Sequence, residues 1–454
     1  MGILIKNGIM VNRGLSFKGS LLISGEIIEK IVRECDFEDE KEYLKEVDRI
    51  YREEEIDAEG LYVIPGIIDD QVHFREPGNV YKGDIESESK AAVLGGVTSF
   101  MDMPNNSPAA TTNIAIREKF KIAAEKSYAN YSFYLGATND NLREIEQVDN
   151  NICGIKVFMG SSTGNMLVND TKALNEIFAK SPILIATHCE QEEIINRNLA
   201  IYKEKFGEDI PFEMHPYIRS REACIESTKR AIDLAIRNNS RLHVLHISTK
   251  DEVDLIKNAQ LKSNKISGEV CVHYMWFNSN DYAKFGSKIK CNPAIKLESD
   301  MLAIRNAVNE GVIKVVATDH APHLKSEKEN NYIKAPSGLP LVQHSLQIML
   351  ELHNKGIFSI EKIVSSMCHS PAECFNINKR GFLDEGYFAD ITLINLNLPD
   401  KKSTSSPAYK CNWSPFEGYT FKSSIIHTIV NGVQVVKNGK ITNLKNSKEL
   451  VFNR

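Results

Sequence analysis

Tyr62-Val63-Ile64-Pro65-Gly66-Ile67-Ile68-Asp69-Asp70-Gln71-Val72-His73-Phe74-Arg75 is an apolar, strand-like run whose far end turns polar. The same design recurs along the chain in VTSFMDM, NYSFYLG, GIKVFMG, ILIATHCE, LHVLHIST and IKVVATDH, with helix-like stretches between them. Short apolar runs alternating with helical segments predict parallel strands joined by crossover helices. Seven or eight such units closing on themselves make a (β/α)8 TIM-like barrel, an α/β fold. A barrel brings the C-terminal ends of its strands to one mouth, so polar residues far apart in sequence converge there.

Outside this region the texture changes. From Gly2 to about Ala58, short β-prone runs alternate with Gly and Asn turns, and a related pattern returns in ADITLINLN and SIIHTIVNGVQVVKNG. This predicts a small composite β-domain built from residues 1–58 and 386–454, with the catalytic barrel over 59–385. The acidic stretch from Cys35 to Glu55 reads as a solvated excursion.

The 454 residues are 42% hydrophobic and 25% charged, a globular mixture that can bury a sizeable core. A net charge of -5 gives no electrostatic footprint for nucleic acid. The nine cysteines are odd in number and scattered without a Cys-x-x-Cys pair, which argues against a disulfide framework or a thiolate zinc knuckle. With no long apolar segment for secretion or membrane insertion, a cytoplasmic address is expected. A homodimer is expected by frequency alone.

The polar strand ends carry the candidate chemistry. In an extended segment Gln71, His73 and Arg75 share a face and point together toward the mouth. Lys156 sits within Gly154-Ile155-Lys156-Val157-Phe158, where a charged ammonium is costly. It reads either as a lysine reaching out of a strand end, or as a neutralised amine that reacts with carbon dioxide to give a metal-bridging carbamate. His188, His246 and Asp319 each close an apolar run. A lone histidine there ordinarily satisfies one hydrogen bond, but recurrence at strand after strand, in residue types that suit Zn²⁺, points to metal. His215 and His273 read as packed or hydrogen-bonded, Met101 and Met103 as core fillers, and Gly95-Gly96 as a turn.

Taken together, these motifs resemble the dihydroorotases of the amidohydrolase superfamily over essentially the whole chain. The resemblance rests on Pro-Gly-x-x-Asp-x-x-Val-His-Phe-Arg-Glu-Pro-Gly at 65–78, Met103-Pro104-Asn105, Gly154 to Gly160, and Thr187-His188-Cys189-Glu190. It continues through His246-Ile247-Ser248, Asn292-Pro293, Asp319-His320-Ala321-Pro322-His323 and Gly386-Tyr387-Phe388-Ala389-Asp390, in the family's order. It implies a cytosolic hydrolase of pyrimidine biosynthesis that interconverts N-carbamoyl-L-aspartate and L-dihydroorotate through a zinc-bound hydroxide. The implied metal ligands are His73, Lys156 as its carbamate, His188, His246 and Asp319, holding one or two zinc ions, with Asp319 also the general acid and base. Arg75 and Asn105 are implied to bind the substrate carboxylate, and Asn292 and His323 the rest of the small-molecule substrate. A guanidinium grips a planar carboxylate through paired hydrogen bonds, so Arg75 favours dihydroorotate over a neutral hydantoin.

Two departures stand out. The family's His-x-His-x-Arg reads Gln71-Val72-His73-Phe74-Arg75 here, and an amide oxygen binds Zn²⁺ less well than imidazole. The buried metal position is then left with His73, Lys156 and Asp319, joined by Gln71, Asp69 or Asp70, and weakened or single-metal occupancy is expected. The loop Ala335-Pro336-Ser337-Gly338-Leu339-Pro340 only partly follows the family's substrate-contacting segment, and a plain turn is the simpler reading of Gly338. Three other readings remain open: a cyclic amidohydrolase of dihydropyrimidinase or allantoinase type, a catalytically silent dihydroorotase-like subunit, and a pure binding protein.

Overall fold

In a computed structural model, described for residues 2–160 and 166–454, eight parallel strands form the expected barrel. They are β1 (Ile67–Val72), β2 (Val97–Asp102), β3 (Asn130–Gly136), β4 (Gly154–Phe158), β5 (Ile185–His188), β6 (Leu242–Val244), β7 (Ile266–Cys271) and β8 (Val315–Ala317). Each strand pairs with its neighbour in sequence. The seam between β8 and β1 is joined where the His73 N–H donates to the His320 carbonyl at 2.7 Å. Asp69 reinforces it by accepting from the Thr318 hydroxyl at 2.6 Å. The interior is filled by Ile68, Met101, Met103, Tyr134, Ala186 and Leu245, so the two methionines are core residues as expected. Leu450 and Phe452, near the chain end, join the same cluster.

The second sheet is built from both ends of the chain. Gly2–Asn12, Leu15–Ser24 and Ile27–Arg33 form an antiparallel meander, and Ile391–Asn395, Ser424–Val430, Val433–Lys437 and Lys440–Ile441 form another. Tyr62–Pro65 lies between them, parallel to the first strand (Met10 opposite Val63) and antiparallel to Ile391–Asn395 (Val63 opposite Leu393). The opening run of the sequence analysis is therefore two strands in two sheets. The division falls at Gly66, whose N–H donates to the Asp390 carbonyl, and where a Cβ would come within 2.0 Å of Thr98 Oγ1.

The stretch from Cys35 to Glu55 is not simply a solvated excursion. It contains the helix Glu40–Asp48, N-capped by the Asp39 side chain. Tyr43 and Val47, four residues apart and so on one helical face, pack on Leu4, Leu22 and Val32 of the sheet. The Tyr43 hydroxyl meets Ser20 Oγ at 2.6 Å. The many acidic residues around this short stripe masked it.

Candidate active site

Polar side chains gather where β1, β4, β5, the segment after β6, and the segment after β8 reach the barrel mouth. Leaving β1, His73 places Nε2 3.0 Å from Asp319 Oδ1 and Nδ1 2.7 Å from Asn105 Oδ1. A carboxylate oxygen on one ring nitrogen and an amide oxygen on the other fix the ring's orientation. Gln71 Nε2 donates to the same Asp319 oxygen at 3.1 Å, and its Oε1 faces the Cys271 thiol at 3.8 Å. Gln71 thus meets Asp319 as a hydrogen-bond donor. Burial works to raise the Asp319 pKa, but the His73 ring, with His273 and Lys156, holds it below the ordinary carboxylate range.

Lys156 is buried in the middle of β4, and burial pushes its ammonium down to about 8 against the pull of Asp319 and Glu269. Its charge in turn acts on His188, His246 and Asp319. His188 Nδ1 and His246 Nε2 face each other at 3.0 Å, and burial lowers both pKa values so that the rings are neutral. Two neutral ring nitrogens at this separation suit one ion, since each would sit about 2.0–2.1 Å from zinc. The far nitrogen of His188 lies 3.2 Å from Glu190 Oε2, and Glu190 also pairs with Arg219. That gives a carboxylate behind a histidine, the arrangement that orients a metal ligand. The donor set fits a divalent cation.

Three of these positions lie in left-handed backbone: Arg75 (φ 70°), His246 (φ 39°) and Asp319 (φ 50°). Arginine and histidine rarely adopt this conformation, which costs on the order of 1–3 kcal/mol per residue. Such strain concentrates where a side chain must be aimed rather than merely packed.

On the other side of the mouth, Arg75 Nε donates to the Pro322 carbonyl at 3.1 Å, and its Nη2 lies 3.1 Å from His323 Nε2. Lys82 approaches His323 Nδ1 at 3.1 Å. Burial, then Arg75, Lys328 and Lys82, hold His323 far below its ordinary pKa, so it is neutral between two cations. Asn292 is buried with Oδ1 accepting no hydrogen bond. The Gly338 N–H donates to the Lys290 carbonyl, in keeping with a plain loop turn.

His215 is hydrogen-bonded to the Tyr332 hydroxyl and the Cys291 carbonyl, as its reading had it. His273 packs on Tyr274 and lies close enough to Asp319 for the carboxylate to act on its pKa. The sequence reading gave no role to Lys82, Glu190 or Arg219. Only Glu190 carried a signal, as the acid two residues beyond His188. Among the described residues, the group of His, Cys and carboxylate ligand atoms that closes to within 4.8 Å is Asp70, His243 and Glu269; the sequence reading named only Asp70, as one residue that could join the buried metal, and neither His243 nor Glu269.

The model of the amidohydrolase family matches residues 62–435. The chain belongs to the amidohydrolase family. Members of this family are generally metal-dependent enzymes, in keeping with the donor set. This amidohydrolase is 32% identical over 427 residues to a dihydroorotase of Methanosphaera stadtmanae, covering 92% of this chain and 95% of the relative. It is 31% identical over 421 residues to a dihydroorotase from a Wolbachia of Drosophila simulans, covering 92% and 91%. Among solved structures, the amidohydrolase resembles an L-hydantoinase (dihydropyrimidinase) from Arthrobacter aurescens at TM-score 0.92 and 26% identity, covering 99% of each chain. It also resembles a dihydropyrimidinase from Brevibacillus agri at TM-score 0.89 and 26% identity, covering 100% of each. Among the described residues, no helix is long and apolar enough to cross a membrane.

Proposed function

We propose that this amidohydrolase is a dihydroorotase, hydrolysing the ring amide of L-dihydroorotate to N-carbamoyl-L-aspartate and catalysing the reverse closure. The observation that carries the reading is the buried guanidinium at the mouth. Arg75, with the neutral His323 and the Lys82–Glu327 ion pair behind it, faces the Asp319 cluster and suits a substrate with a carboxylate beside its reacting amide. The likeness in sequence to dihydroorotases supports it.

In this reading Lys156 as its carbamate, His188 and His246 would hold Zn²⁺, with His73 and Asp319 beside them. A lysine with its pKa brought down to about 8 keeps a fraction of neutral amine, the form that reacts with carbon dioxide. When bound, the metal supplies Lewis-acid polarisation of the amide carbonyl and an acidified water. Arg75, Asn292 and His323 orient the substrate, while Asn105 steadies the His73 ring on which Asp319 leans. Asp319, ionised at rest, takes the proton of the attacking water. As the ring C–N bond breaks, it returns that proton to the leaving nitrogen.

Arg75→Met is expected to raise KM for dihydroorotate by roughly 10–100-fold, the loss of a charge-assisted contact of about 1.5–3 kcal/mol. Turnover of neutral hydantoin should be insensitive to the change. The solved relatives favour a second reading as a hydantoinase. A wild-type chain that opens hydantoin but not dihydroorotate, with Arg75→Met harmless, would establish that reading instead.

Gln71 bears on metal number. Its amide donates to Asp319 where the family pattern has an imidazole, so one strongly held zinc is expected among the proposed catalytic ligands. Gln71→His should raise zinc content by about one equivalent per chain when measured by elemental analysis after gel filtration. Unchanged zinc content in Gln71→His would sink this account.

A further inference from the structure

We propose that Asp70, His243 and Glu269 form a second cation site, for a divalent ion of the zinc class, inside the barrel below the catalytic cluster. The three side chains come from β1, β6 and β7, and each is fully buried. Their ligand atoms lie within 4.8 Å of one another. His243 Nε2 is 3.2 Å from Glu269 Oε2 and 3.3 Å from Asp70 Oδ2. One imidazole and two carboxylates suit zinc and its neighbours in the first transition row.

The hydrogen bonds around His243 say which nitrogen is offered. Nδ1 lies 2.8 Å from Ser267 Oγ, and that hydroxyl donates its proton to the Leu242 carbonyl at 3.2 Å. Ser267 therefore accepts from Nδ1–H, the outer contact that fixes the tautomer of a metal-ligating histidine. Nε2 then faces two carboxylate oxygens at hydrogen-bond distance, the place where a cation would stand in for a shared proton. Asp70 has no exposure to water; its Oδ1 meets no donor, and its Oδ2 meets only His243 Nε2, at 3.3 Å. Buried carboxylates are costly unless paired or bound to metal. Without a cation the cluster must keep protons instead.

There is also a route in. A cavity of about 520 Å³ opens at the N-terminal end of the barrel, and Ser267 and Cys374 line it. Both touch His243, so the site lies one side chain beneath that opening. The site uses none of the proposed catalytic ligands, although Glu269 acts on Lys156 and its Oε1 accepts from the His246 N–H at 3.3 Å.

The test is anomalous diffraction at the zinc edge from crystals of the full chain grown with Zn²⁺. A peak between Asp70, His243 and Glu269 is expected, within about 2.0–2.2 Å of the ligand atoms. Elemental analysis should show Asp70→Asn losing about one zinc per chain, and added zinc should raise the thermal midpoint of wild type more than that of Asp70→Asn. If Asp70→Asn does not fold, the His188→Ala, His246→Ala chain must still show the peak. Zinc-replete crystals without density there, the cluster holding protons only, would overturn the proposal. Dihydroorotate turnover by wild type is read separately, so loss of this site and loss of the dihydroorotase reading are distinct results.

Discussion

Asp319→Asn is expected to lower kcat for dihydroorotate hydrolysis by roughly 10²–10⁴-fold, with the chain still folded. Asparagine keeps the shape of the side chain and can still present an oxygen to Gln71 Nε2 and His73 Nε2, which meet Asp319 Oδ1 at 3.1 and 3.0 Å. It cannot accept and return a proton. Because one carboxylate serves both proton transfers, ring closure should fall by the same factor as ring opening. Steady-state rates in both directions, with circular dichroism and zinc content measured on the same samples, check this. A variant that keeps its fold and metal and turns over at the wild-type rate removes Asp319 from the chemistry.

The largest effect on stability is expected from Lys119→Met. Lys119 lies on the helix Asn113–Lys126 and is buried at 1% exposure. Its ammonium donates to Asp102 Oδ2 at 2.5 Å, to Asn106 Oδ1 at 2.7 Å and to the Met103 carbonyl at 3.1 Å. The other Asp102 oxygen accepts from the Phe74 N–H at 2.7 Å. This strap ties the end of β2 to the turn carrying His73 and Arg75. Burial lowers the Lys119 pKa even with Asp102 beside it, which measures how dry the pocket is. Methionine leaves the Asp102 carboxylate buried without a counter-charge, a loss of about 3–5 kcal/mol in urea unfolding. Adding Asp102→Asn should recover part of it, since a neutral amide oxygen still accepts from Phe74. Equal stability of wild type and Lys119→Met would mean that the pair contributes nothing net.

The barrel was legible because its strands announce themselves twice, as apolar runs and as runs with polar C-terminal ends. His188 and His246 stood out as the closing residues of β5 and of the run through β6, and the structure sets them face to face. Other features left no local trace. The sequence reading said nothing of the helix of Lys119, and only the fold brings Asp102 and Asn106 to its ammonium. The apolar run from Tyr62 to Ile68 gave no hint that its first half serves another sheet, because buried strands in either sheet call for the same residues. Asp70, His243 and Glu269 meet across nearly 200 positions of sequence, and each alone looks like an ordinary strand residue.

The strand Tyr62–Pro65 has one consequence for synthesis. Its partner on one side, Gly2–Asn12, leaves the ribosome before it, but its partner on the other, Ile391–Asn395, is translated more than 300 residues later. Through that interval a nascent chain carries an unsatisfied backbone edge of apolar Val63 and Ile64, the kind of edge that recruits stray strands. Production of this protein is therefore most exposed to aggregation during elongation, before about the last seventh of the message is read.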